Sequence, residues 1–250
     1  MNNKFMQKFI EIAGRIGSQR HLVAIRDGFV ATMPLIIIGS LAVLINNFPA
    51  FGSFSIVDIL NNIFGEGNWQ TVGGSIWNAT FAVIGLLISF TIAYNLAKSY
   101  EVDGLSAGLI SIASYIMLVP VTEDFGLNMN WLGTQGLFVA IIVALIVTEL
   151  FRLLIQANIT IKMPEGVPEG VTRSFAALIP AMIILAFVGL FQAIVSAFVE
   201  ISVFEVIFNL IQEPLQGLGN TLPAAFSCCI LKSFTMVLWS AWYKYYRICY

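Results

Sequence analysis

Side chains able to do covalent chemistry are scarce in this sequence. His21 is the only histidine, and the three cysteines (Cys228, Cys229, Cys249) all fall after residue 227, without partners at metal-ligand spacing. No glycine-rich phosphate loop follows a strand pattern. Neither catalysis by this chain alone nor a cofactor or metal is expected. His21, beside Arg20, reads most simply as a surface residue facing lipid headgroups. Glu149 and Arg152 are different, because they interrupt an apolar run and every intramembrane charge requires an explanation. Three residues apart, they share a helical face and suit an ion pair; a coupling-ion site is the other reading. Uncharged polar groups gather at Asn78, Thr80, Ser89, Thr91, Tyr94 and Asn95. These fit hydrogen bonds between helices or a hydroxyl-rich solute.

The elements that must position these groups are membrane helices. The 250 residues are 58% hydrophobic and 10% charged, with a mean hydropathy of +0.88. Twelve basic against fourteen acidic residues leave no electrostatic case for nucleic-acid binding. Five runs reach spanning length: 28–48, 76–97, 104–121, 136–155 and 174–198. A sixth apolar run, about 221–242, is compromised by its unusual end. The expected fold class is therefore all-α: a polytopic membrane helix bundle with five transmembrane helices and an incomplete or aberrant sixth span. An interfacial N-terminal helix is added, since Phe5, Phe9, Ile12 and Ile16 share one face and Lys4, Lys8 and Arg15 another.

Cations set the expected orientation. Lys4, Lys8, Arg15, Arg20 and Arg26 precede the first span, Lys98 follows the second, and Arg152, Lys162 and Arg173 surround the junction of the fourth and fifth. Loops 49–75 and 122–135 hold no Lys or Arg, which places the N-terminus in the cytoplasm. Trp69, Trp77 and Trp131 lie in or near those loops and read as headgroup anchors. Residues 55–64 suit a second interfacial helix. Segment 201–225 is broken at Glu213, Pro214, Gly217, Gly219 and Pro223, as a re-entrant segment or an ordinary outside loop would be. So little intramembrane charge favours a neutral, polar solute such as a sugar over protons or metal ions.

Three stretches carry a family resemblance: IRDGFVATMPLIIIGSLAVLINNFP (25–49), YNLAKSYEVDGLSAGLISIASY (94–115) and KMPEGVPEGVTRSFAALIPA (162–181). They resemble the membrane component, enzyme IIC, of the bacterial phosphoenolpyruvate-dependent sugar phosphotransferase system, in its lactose/cellobiose/diacetylchitobiose class. The third is the most specific, through its Met-Pro-x-x-Val-Pro-x-x-Val-x-Arg-Ser-Phe pattern, and LGNTLPAA (218–225) is also similar to family sequence. The resemblance implies a subunit of the bacterial cytoplasmic membrane that carries a β-disaccharide such as cellobiose. It also implies a homodimer, and phosphorylation of the sugar by a phosphocysteine on a separate IIB subunit that works with IIA. Arg173 and Asn220, in family-like motifs, are the candidate substrate-binding residues; a positive-inside anchor and a loop cap are their alternative roles.

After LGNTLPAA the family continues with a pattern like LLVFLNHLLWFFGLHGTN, whereas this chain ends FSCCILKSFTMVLWSAWYKYYRICY. Shifting the frame by one base forces Trp from Met236-Val237 and Gly from Trp242-Tyr243. It also gives Gly from Trp239-Ser240 if the serine codon begins with TC. These fall at the W-x-x-G-x-x-G spacing of WFFGLHG. The expected organisation is a permease-like part over 1–225 and an aberrant, frame-shifted tail over 226–250. On this reading most of the sugar site is lacking, and a non-transporting dimeric membrane fragment or scaffold is the alternative function.

Overall fold

The computed structural model describes residues 17–47, 68–120, 126–164, 166–199 and 203–207, with residues 63, 65, 209 and 210. The expected helix over 5–16, all but one residue of that over 55–64, Asn220, the break near Pro214 and the cysteine-bearing tail lie outside these residues. The chain divides into a unit ending at Phe204 and a second unit from Glu205 onward. The architecture below is that of the first unit.

Its helices are α1 (Arg20–Asn46), α2 (Asn68–Ala79), α3 (Ile84–Ser99), α4 (Gly104–Leu118), α5 (Met129–Leu132), α6 (Leu137–Gln156) and α7 (Glu169–Val199), with α8 (Val203–Ile207) running across the boundary. Among the described residues, four helical stretches are long and apolar enough to cross a membrane: 20–46, 70–99, 134–156 and 169–198. α4 is apolar but only 15 residues long, about 22 Å at 1.5 Å per residue. The sequence dictates both of its ends. The Asp103 side chain accepts the Ser106 N–H at 3.1 Å and starts the helix. At the other end Val119 turns extended (φ −63°, ψ 128°) because it precedes Pro120. The second expected span is also interrupted: Thr80 leaves helical geometry (φ −118°, ψ −80°), separating α2 from a 3₁₀ turn and α3.

α3 is the centre of the bundle and packs against α1, α4 and α6. Ile88, Ile92, Ala93, Leu96 and Ala97 on it are fully buried. α1 is buried at small residues, Ala24, Gly28, Thr32, Gly39 and Ala42, with Gly28 against Ile92 of α3 and Gly39 against Thr80 and Phe81 just before it. The large residues Val30, Met33, Ile37, Leu41 and Leu44 are exposed on the same helix. Lipid explains this inversion of the soluble pattern: bulky chains face the acyl tails, and small ones let backbones approach. Two polar residues of the second span, Ser89 and Thr91, bond to neighbouring helices. Ser89 Oγ and Ser111 Oγ are bonded at 2.8 Å between α3 and α4, and Thr91 Oγ1 donates to the Gly28 carbonyl of α1 at 3.1 Å.

At the end of the bundle opposite Arg20, buried Tyr115 fastens α4 to the segment that leads into α6. Its hydroxyl donates to the Trp131 carbonyl at 2.6 Å, and the Phe204 ring meets it edge-on at 5.4 Å. Trp131 also packs against Phe204, at 5.4 Å between rings, so its ring has a packing role beside any anchoring one. Tyr115→Phe removes the donor from the part-buried Trp131 carbonyl. It is expected to cost about 1 kcal/mol, read as a lowered unfolding midpoint in detergent.

Candidate functional site

Two structural features gather the chemistry-bearing residues, and both lie at the end of the bundle that holds Arg20, Lys98, Arg152 and Arg173. The first is a cavity of about 710 Å³ enclosed by the end of α3, the start of α4 and the first turns of α7. The α3–α4 turn that forms one wall follows from local hydrogen bonding. Val102 N–H reaches back to the Ala97 carbonyl and Glu101 N–H to that of Lys98, both at 3.1 Å, with Glu101 left-handed at φ 58°. This is a Schellman closure in which a glutamate holds the position usually taken by glycine. Gly104 then lets α4 begin against Tyr94, since a β-carbon there would stand 3.0 Å from the Tyr94 ring and carbonyl.

Arg173 comes to this cavity from the other side. Gly166 (φ 102°) turns the 157–168 loop, and the Pro168 carbonyl accepts the N–H groups of Val171 and Thr172 in the first turn of α7. Arg173 bonds to Glu169 one turn earlier, but the two are 58% and 80% exposed, so the pair adds little stability and leaves the guanidinium available. Tyr94, Lys98, Asp103, Ser106, Arg173 and Ser174 together give the cavity both signs of charge, hydroxyls and an aromatic face. That set can hydrogen-bond a neutral solute rich in hydroxyls from both donors and acceptors. Asn220, the other candidate, lies outside the described residues.

The second feature is a hub on Glu149. Its Oε1 accepts the Tyr100 hydroxyl at 2.5 Å and lies 2.9 Å from His21 Nε2, while Oε2 accepts Arg152 Nε at 2.9 Å. The Glu149–Arg152 pair anticipated from spacing is therefore present. His21 departs from its expected role: although 45% exposed, it joins α1 to α6 rather than only facing headgroups. Tyr100 was not anticipated. Burial, and then its bond to the Glu149 carboxylate, push the Tyr100 phenol above its ordinary value, so it stays a donor throughout the physiological range. One signal for the hub was available in the sequence: an acid at membrane depth needs partners at its own level, and the positive-inside pattern puts Arg20, His21 and Tyr100 there.

With this geometry in hand, comparison with known proteins is informative. The family profile described as "Phosphotransferase system, EIIC" matches residues 26–238. The chain belongs to the phosphotransferase system EIIC family. This EIIC chain is 40% identical over 156 residues to the lichenan permease IIC component of Bacillus subtilis (strain 168), a match covering 57% of this chain and 34% of that one. It is 38% identical over 149 residues to the cellobiose-specific EIIC component of Geobacillus stearothermophilus, covering 54% and 32%. Its fold superposes on the crystal structure of the transporter ChbC, the IIC component from an N,N'-diacetylchitobiose-specific phosphotransferase system. The TM-score is 0.79 at 39% identity, over 89% of this chain and 54% of that one. The EIIC chain is thus an integral membrane protein, and its matches span about a third to a half of its relatives' length.

Proposed function

We propose that this chain is the N-terminal part of a sugar permease that carries a β-disaccharide such as cellobiose across the bacterial cytoplasmic membrane. A separate IIB subunit phosphorylates the sugar at the inner face and works with IIA, and the permease acts as a homodimer. The observation that carries this reading is the family match over 26–238, with relatives named for lichenan and cellobiose among the similar sequences. The basic residues at one end of the bundle support a cytoplasmic assignment for that end and for the N-terminus. There the cavity holding Arg173 is an inner vestibule, with its guanidinium bonding sugar hydroxyls on their way to IIB. Asn220 belongs to the same proposal as a second sugar-binding group. Residues 226–250 are proposed as a frame-shifted tail, although the profile match runs past Ala225 to residue 238; nucleotide sequence across that point tests the idea.

Labelled cellobiose uptake, in cells lacking their own β-glucoside permeases and supplied with IIA and IIB, tests the main proposal. Uptake is expected once the reading frame after Ala225 is restored and the permease completed, and Arg173→Ala in that form is expected to reduce it about tenfold at unchanged membrane level, the effect of losing one charge-assisted hydrogen bond. Unchanged uptake in the variant removes Arg173 from the path. Self-association of the wild-type chain without any uptake favours the scaffold reading.

A further inference from the structure

A second, smaller niche of about 290 Å³ opens beside the hub, between the first residue of α1, the α3–α4 turn and the last turn of α6. Arg20, Tyr100, Glu101, Arg152 and Gln156 line it. The Arg20 guanidinium stands 5.2 Å from the Tyr100 ring centroid and that of Arg152 stands 4.8 Å from it. Two like charges are thus held around one ring, an arrangement that is repulsive unless something offsets it. Glu149 offsets Arg152 through its Nε, and Arg152 Nη1 donates to Gln156 Oε1 at 3.0 Å. Arg20 has no carboxylate partner among the described residues. The niche lining therefore carries two guanidinium groups against the single carboxylate of Glu101. The Gln156 amide nitrogen remains as a further donor.

We propose that this niche binds a phosphate group, which in the membrane is the headgroup phosphate of an anionic phospholipid. Its position fits, because helix ends that span a bilayer stop at headgroup depth. Its chemistry fits as well: Glu149 already balances Arg152, which leaves Arg20 as the guanidinium without a carboxylate partner among the described residues, and planar guanidinium forks bind phosphate oxygens in pairs. Tyr100 keeps both guanidinium groups in place through its ring while its hydroxyl is committed to Glu149, so the site is pre-shaped by the same contacts that hold α1, α3 and α6 together. This role is independent of sugar passage through the neighbouring cavity.

Native mass spectrometry of the full chain in detergent tests it with three probes: phosphatidylglycerol, a diacylglycerol with the same acyl chains but no phosphate, and inorganic phosphate. Phosphatidylglycerol is expected to be retained in preference to diacylglycerol. Arg20→Gln, which leaves the Glu149 contacts in place, is expected to weaken its retention about tenfold, whereas Lys162→Gln in the exposed loop at the same end is expected to leave it unchanged. If millimolar inorganic phosphate displaces the lipid, the phosphate group itself is what the niche recognises. If it does not, the acyl chains add to the affinity of a lipid-borne phosphate; both results support the proposal. Equal retention of the two lipids by the wild type overturns it, as does undiminished phosphatidylglycerol binding in Arg20→Gln with its unfolding midpoint intact.

Discussion

Replacing Gly28 with valine is expected to destabilise the bundle by about 3 kcal/mol, measured as a lowered unfolding midpoint in detergent. A β-carbon at this position would stand 2.6 Å from Ile92 Cγ1, 3.0 Å from the Ile92 backbone nitrogen and 3.1 Å from its Cα. Side-chain rotation relieves only the first of these contacts. The other two require α1 and α3 to move apart, and separation also breaks the bond from Thr91 Oγ1 to the Gly28 carbonyl. Ile92 is fully buried in the cluster formed by Ile84, Ile88 and Ala93 of α3 with Ala144 of α6, so the displacement spreads to a third helix. Gly28→Ala is expected to fall between wild type and valine, because it meets the backbone without the added methyl groups. Val30→Ala, two residues away and 54% exposed, is expected to leave the midpoint within about 0.5 kcal/mol of wild type. Equal effects at positions 28 and 30 would show that helix propensity, rather than close approach, governs α1.

Glu149→Gln is expected to lower stability by about 1–2 kcal/mol. The substitution preserves size, yet it replaces an acceptor-only group by one whose amide nitrogen faces donors. Tyr100, His21 and Arg152 lose part of their acceptor, and the Arg152 guanidinium loses its compensating charge. The 27% exposure of Glu149 admits water and keeps the loss below the 3–5 kcal/mol typical of breaking a fully buried pair. A double-mutant cycle with Tyr100→Phe is expected to give a coupling of about 0.5 kcal/mol or more. An exposed ion pair gives the contrast: Glu169→Gln, at an 80% exposed position, is expected to leave the midpoint unchanged. The same variant separates structural from ion-coupling roles. An intact fold with solute uptake lost only under a cation gradient would identify Glu149 as a coupling site.

Both predictions turn on contacts that the sequence suggests unequally. The Glu149–Arg152 pair is local, so three-residue spacing on a helix is enough to anticipate it. His21 and Tyr100 reach the same carboxylate from positions 128 and 49 residues away along the chain, and no spacing rule connects them. The small-residue stripe Ala24, Gly28 and Thr32 is visible as a four-residue repeat, but only the packing of α3 shows that it is the buried face. Arg173 drew attention through its motif, whereas its neighbours Tyr94, Lys98 and Asp103 became part of one cavity only when α3, α4 and α7 came together.

Membrane insertion, the all-helical class and the approximate spans were determined by the sequence alone, because the bilayer imposes a length and polarity test that each segment meets independently; the family was legible from the motifs at 25–49, 94–115 and 162–181. The interruption at Thr80, the centrality of α3, the hub on Glu149 and the two polar hollows at the basic end were decided by tertiary structure. In lipid, apolar side chains have no hydrophobic gain from facing one another, so hydropathy does not say which face of a helix turns inward. Close backbone approach at small residues and hydrogen bonds between distant polar groups make that choice, and neither exists until the helices meet.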